Sequence, residues 1–317
     1  MSTALRLLVT GGLLWALAAR VDLSEAVATM GRASPSLIAA TIGVLFVGNL
    51  IVGLRWHLIL SAASASPGPA SLLKIVLVGL FFNQVLPTGV GGDAVRAWRC
   101  CKLGIGLGAA IRSILLDRAC GYIVIVAVYA AALPTLLHVL PEAREQAGVA
   151  GVLGAAVVGL LGLLSIDRLP QLLLRLPLIA QLAELSRESR RLFTHPRRCS
   201  TVLSLSVLTI ALTVVAFKLI ADAIGSRLPL GVWAMVVPPV TLIQLLPVSL
   251  AGWGVREAAL VVALGSFGVP AEAALATSIL LGLCMIVVGL PGGLIWLTNW
   301  DVSQSRYETV EKRRIAP

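Results

Sequence analysis

The sequence predicts an all-α polytopic membrane protein, and three observations carry that prediction. Ala, Val, Ile, Leu, Met, Phe, Trp, Tyr and Cys make up 58% of the 317 residues, while charged residues make up 13%. That charged share is about half of the roughly 25% usual in globular proteins, too little to cover a soluble surface. Apolar runs close to the ~20 residues that cross a hydrocarbon core recur along the chain. Lys and Arg fall mainly between those runs. Together these features exclude an ordinary soluble enzyme, a disordered protein and a disulfide scaffold. The net charge of +10 follows from membrane topology and is no nucleic-acid footprint, so no nucleic-acid partner is expected.

The first run, 4–19, reads as a retained span. Its small-residue ending Ala16-Leu17-Ala18-Ala19 leaves a cleavable signal peptide as the alternative. The second run, 35–54, closes on Arg55-Trp56-His57, where Trp and Arg ordinarily anchor a helix at the head-group level; a site role for Arg55 is the alternative. Further runs occupy 71–86, 119–140, 147–166, 199–224, 230–248 and 271–298, with weaker ones at 103–118 and 249–269. The expectation is about seven or eight transmembrane helices plus one or two re-entrant or broken helices. Lys218 and Asp222 stand four apart and read as an intrahelical pair.

Residues 168–198 carry leucines at helical spacing followed by arginines, which predicts an amphipathic helix on the inner leaflet and a basic linker. Residues 1–317 thus read as one transmembrane domain. A first half-repeat covers about 35–166, a cytoplasmic linker 167–198, a second half-repeat about 199–298, and a cytoplasmic tail 299–317. Segments 55–74, 87–118, 167–198 and 299–317 hold most of the cations, whereas Arg20, Arg32, Arg144 and Arg227 lie in the other loops. The positive-inside rule then predicts a multi-pass plasma (inner) membrane protein with both termini cytoplasmic.

The most informative feature is a pair of interrupted segments. Asn83-Gln84-Val85-Leu86-Pro87-Thr88-Gly89-Val90-Gly91-Gly92-Asp93-Ala94-Val95-Arg96 is answered by Gln244-Leu245-Leu246-Pro247-Val248-Ser249-Leu250-Ala251-Gly252-Trp253-Gly254-Val255-Arg256-Glu257. Aligned on Leu-Pro, Gly92 falls on Gly252 and Arg96 on Arg256, at an offset of 160 residues. Matched Pro/Gly interruptions in corresponding halves point to a transporter-type site. Proline removes a donor and glycine permits φ > 0, so each helix breaks inside apolar sequence. Backbone freed in this way must be buried in protein or line a wet cavity. A helix that restarts there aims its amino terminus and unpaired N–H groups into that cavity, and an arginine one turn on adds positive charge. The expected ligand is an anion, in a membrane the phosphate of an anionic phospholipid or lipid-linked substrate. Asp93 and Glu257 would be counter-ions or would meet an amine. Packing kinks with arginines that snorkel to the interface are the plainer alternative. Asp117-Arg118 either joins the cavity or marks its entry.

These residues resemble a known family, the transmembrane, flippase-like region of lysylphosphatidylglycerol synthases, which also occurs as stand-alone membrane proteins. The resemblance rests on Arg55-Trp56, Asn83, Leu86-Pro87, Gly91-Gly92-Asp93, Arg96, Asp117-Arg118 and Gly121, then Pro247, Ser249, Gly252, Gly254 and Arg256-Glu257. Ala251 stands where the family usually has a second glycine. The resemblance implies an inner-membrane protein that moves or presents lipids. In the full synthases a soluble aminoacyl-transferase domain follows; this chain stops at residue 317 after a short tail, so synthase activity is not expected of it.

The residues therefore predict a flippase-like lipid translocase or lipid-binding transporter with membrane lipids as partners. The substrate would be bound around Asn83, Pro87, Gly91, Gly92, Asp93, Arg96, Asp117, Arg118, Gln244, Pro247, Ser249, Gly252, Gly254, Arg256 and Glu257. No catalytic set, metal-site spacing or cofactor fingerprint is present in the sequence. The alternatives are an integral-membrane transferase acting on a lipid phosphate, recruiting Asp93, Asp117 or Glu257, and an accessory subunit that docks a soluble lipid-modifying enzyme.

Overall fold

The computed structural model describes residues 3–19, 21–63, 67–86, 91–140, 142–166, 177–244 and 252–298. The tail 299–317 and the two breaks 87–90 and 245–251 lie outside them, as does 167–176 of the linker. Among the described residues every regular element is a helix. They are α1 Thr3–Ala18, α2 Leu23–Gly31, α3 Pro35–Ala63, α4 Pro69–Val85, α5 Gly91–Lys102, α6 Leu107–Val139, α7 Ala143–Ser165, α8 Pro177–Thr194, α9 Pro196–Ala223, α10 Leu230–Ile243, α11 Val255–Gly265 and α12 Ala271–Leu297.

Five of these helices, α3, α6, α7, α9 and α12, are long and apolar enough to cross a membrane. The sequence led to an expectation of seven or eight spans, and the difference has physical causes. Runs 4–19, 71–86 and 230–248 form the shorter helices α1, α4 and α10. Runs 103–118 and 119–140 join into the single 33-residue α6. Charge interrupts that sequence without interrupting the helix, because Asp117 is buried and Arg112 and Arg118 pair with Glu188 and Asp93 of neighbouring helices.

Each short leg is half of a pair: α4 packs on α5, and α10 packs on α11, across the two breaks. The bundle centres on α3 against α9, with α12 against α4 and α6 against α10. Glycine makes one of these contacts possible. A Cβ on Gly292 would collide with the Leu77 carbonyl, and one on Gly289 would lie 3.4 Å from the Phe81 Cα. Without a hydrophobic driving force between helices in lipid, such close backbone approach supplies much of the packing. One apolar core surrounds Phe217, Ile220, Trp233, Leu260 and Leu281. A second, around Trp56, Leu60, Leu72 and Ile75, ties α3 to α4. Beside it Phe82 and Trp98 meet the ring of Trp296 at centroid distances of 4.8 and 5.7 Å.

Helix α8 lies on α3, α6, α7 and α9 through the buried Ala183, Leu185, Ser186 and Ser189, and leaves Glu184 and Arg187 exposed. Its Glu188 accepts from Arg112 of α6 at 2.7 Å. Lys218 and Asp222 form the expected intrahelical pair.

Candidate functional site

The first charged cluster grows from the restart at α5. Gly92 is forced by contact: a Cβ there would collide with the Gly79 carbonyl and crowd the Asn83 amide. With only hydrogen at that point, the Gly92 N–H donates to Asn83 Oδ1 at 2.9 Å. One donor of the new helix is thus satisfied across the break by the protein itself. Gly91 and Gly92 are both buried, and α5 rests against α4 and α6.

One turn on, Arg96 is 5% exposed and lies over the Trp56 ring, its guanidinium carbon 4.1 Å from the centroid. It donates to Asp93 Oδ1 at 3.0 Å and stands 3.8 Å from Asp117 Oδ2. Asp117, from the middle of α6, accepts from Arg55 Nε at 2.8 Å. Arg55 also donates to Ser206 Oγ of α9 at 2.9 Å. Arg118 grips the other side of Asp93 through Nε and Nη2 at 3.1 to 3.3 Å. Four helices, α3, α5, α6 and α9, therefore converge on three guanidiniums and two carboxylates, a formal surplus of one positive charge. Buried charges persist only when paired, and this set is paired but not neutral. Arg96 Nε and Nη2 are buried without a hydrogen-bond partner.

The second cluster is closed. Gly252 and Gly254 both take φ of +83°, which an L side chain resists. Gly254 N–H donates to Glu257 Oε2 at 2.6 Å, so the first turn of α11 is capped by its own glutamate. Glu257 is fully buried, and its Oε1 accepts from Arg256 Nη2 at 2.9 Å and from Ser278 Oγ at 2.8 Å. Arg256 Nε donates to Ser278 Oγ at 2.9 Å, Nη1 reaches Met285 Sδ at 3.8 Å, and the guanidinium lies 4.9 Å from the Trp253 ring. All three nitrogens of Arg256 have partners, and the pair carries no net charge.

The structure thus brings together Arg55, Asn83, Gly92, Asp93, Arg96, Asp117 and Arg118, and separately Gly254, Arg256 and Glu257, with Gly252 against Gln244. Among the described residues no hydrogen bond or ion pair joins the two clusters. Pro87, Pro247 and Ser249 lie outside the described residues. Sequence reasoning missed Ser206, Ser278 and Ser113, and it read Trp56 as an interface residue. Trp56 is fully buried and donates to Ser113 Oγ at 3.1 Å. A hydroxyl in an apolar helix was the available signal, but such groups commonly bond back to their own helix, as Ser206 also does to the Val202 carbonyl.

Arg118 is the accessible member of the first cluster, with 39% of its side chain exposed. It lines an apolar cleft of about 300 Å3 together with Leu115, Tyr122, Val126, Ala156 and Leu160. A second apolar cavity, of about 520 Å3, lies further along the same helices, between α6, α7 and the α10–α11 pair. Among the described residues no group of three His, Cys, Asp or Glu side chains could hold a metal ion.

A bundle with five membrane-length helices and buried ion pairs at its helix breaks is a multi-pass integral membrane protein. More particularly, residues 3–293 match the lysylphosphatidylglycerol synthase TM region, and the chain belongs to that family. The membership makes it an integral membrane protein related to lipid handling. No curated protein matches the chain.

Proposed function

We propose that the chain is a flippase-like translocase that moves a lipid with an anionic phosphate head group between the leaflets of the plasma membrane. One observation carries this reading: a five-residue cluster with one surplus positive charge opens into an apolar cleft through Arg118. A phosphate can pair with that guanidinium, whose planar fork favours two parallel hydrogen bonds, while the acyl chains stay against Leu115, Val126 and Leu160. Arg96, two of whose nitrogens make no hydrogen bond, shares Asp93 with Arg118 and adds to the positive charge there. Arg256 and Glu257 neutralise each other, so they hold the second break closed rather than compete for the anion.

Two inverted pseudo-repeats fit the packing. Shifted by 160, α3, α4, α5 and α6 fall on α9, α10, α11 and α12 within a few residues. The contacts exchange accordingly, α4 on α12 with α10 on α6, and α12 on α3 with α6 on α9. With α4–α5 and α10–α11 as re-entrant hairpins, and with the shorter α1 taken as a sixth span beside the five membrane-length helices, the number of crossings is even. Both termini then lie on one side, the cytoplasmic one by the placement of the arginines.

The test is reconstitution into liposomes carrying a fluorescent phosphatidylglycerol in one leaflet. Arg118→Ala should slow its movement tenfold or more, as expected for losing a hydrogen bond to a charged group. An unchanged rate would sink the proposal.

A further inference from the structure

The geometry points to a single lipid path along the seam between α6 and α7, running from Arg118 to Glu145. It rests on the translocase reading above and specifies where in the protein the lipid travels. The two cavities are stacked on the same faces of the same helices. The lower one is lined by Arg118, Tyr122 and Val126 of α6 and by Leu160 and Ala156 of α7. The upper one continues with Tyr129 and Leu136 of α6, with Leu140 that caps it, and with Val152 and Glu145 of α7. Val126 to Tyr129 and Ala156 to Val152 are each one helical turn, so only a narrow waist divides them. Leu242 of α10 backs the lower cavity and Val240 the upper, which makes a continuous rear wall.

The seam has the length a lipid needs. From Arg118 to Leu140, α6 rises about 33 Å, and from Glu145 to Leu160, α7 rises about 22 Å. The hydrocarbon core is about 30 Å thick. Small residues keep the α7 wall low. A Cβ at Gly148 or Gly159 would meet nothing within 4 Å, so packing does not demand glycine there, and the missing side chains leave space. Both mouths carry lipid-facing side chains, Leu115 below and Val262 above.

Charge complementarity names the occupant. Arg118 sits at one end and suits the phosphate. At the other end Glu145 has a buried carboxylate oxygen with no hydrogen-bond partner, in a cavity whose other lining is apolar but for Ser266 and Tyr129, whose hydroxyl donates to the Val149 carbonyl. That oxygen asks for a donor, and a phospholipid head group supplies one as a glycerol hydroxyl or an ethanolamine N–H. The head group passes along the seam between these two polar stations while the acyl chains remain in the bilayer.

The test uses the full chain in liposomes with fluorescent phosphatidylglycerol and phosphatidylethanolamine. Gly159→Cys protein should lose at least tenfold in rate on reaction with a bulky thiol reagent, measured against the same variant before reaction. Val158→Cys, at an outward position 71% exposed, and wild-type protein, treated identically, should keep their rates. Ala156→Trp should reproduce the block without chemistry. Glu145→Ala should slow both lipids, the ethanolamine lipid more if its N–H is the preferred donor and the glycerol lipid more if the hydroxyl is. Full activity of the labelled Gly159→Cys protein, or equal loss in Val158→Cys, would overturn the path. If Arg118→Ala is inactive while the labelled Gly159→Cys protein is active, the translocase reading stands and the seam alone fails.

Discussion

Asp117 serves two arginines from different helices, Arg55 at 2.8 Å and Arg96 at 3.8 Å, at 1% exposure. Asp117→Asn leaves both guanidiniums short of a counter-charge in a low-dielectric site, and removing one partner of a buried pair costs about 3–5 kcal/mol. Thermal unfolding in detergent should show a large fall in midpoint. The same change at Asp222, whose pair with Lys218 is partly exposed, should cost less than about 1 kcal/mol. Arg256 and Glu257 allow a sharper check. Each single change, Arg256→Met or Glu257→Gln, strands a buried partner, so the double variant should be more stable than the sum of the singles predicts. At this scale the sequence exposed the charged residues but not their partners. Asp117-Arg118 and Arg55 stand out in apolar sequence, whereas Ser206 and Ser278 look like any helix hydroxyl until another helix is laid beside them.

The helix pairs α4–α5 and α10–α11 were the easiest elements to read, because Pro and Gly interrupt apolar sequence twice at the same spacing. Their seating was harder, since it depends on backbone meeting backbone. Gly79 and Gly92 touch across α4 and α5, and no pattern in either strand of sequence announces that contact. Gly92→Ala should therefore prevent α5 from docking and abolish accumulation of folded protein, measured by monodispersity after extraction. Gly254→Ala forces a side chain into φ of +83° and to 3.2 Å from the Leu13 Cβ. Strain of that kind costs about 1–3 kcal/mol, again a thermal-shift measurement. Helix α6 was misjudged as two segments for the opposite reason: its charges looked like a boundary, yet they pair with side chains of neighbouring helices and the helix runs through them.

For the molecule as a whole, the inverted halves proposed above would place corresponding loops on opposite faces of the membrane. Single cysteines introduced at Gly106 and at Gly265, in a protein without its five native ones, should each react with an impermeant thiol reagent from one side only, and from different sides. Labelling of both from the same side would remove the inversion. The halves also differ in filling. Phe82, Trp98 and Trp296 pack together beside α4 and α5, while 160 residues away from each stand Leu242, Ala258 and Leu136, of which Ala258 and Leu136 line the 520 Å3 cavity and Leu242 the smaller cleft. That hollow makes one end of the protein compressible and the other stiff. Hydrostatic pressure should loosen the packing around that cavity, where α6 and α7 meet α10 and α11, at lower loads than the packing around Trp296, and dissolved xenon, drawn to apolar space, should oppose that collapse.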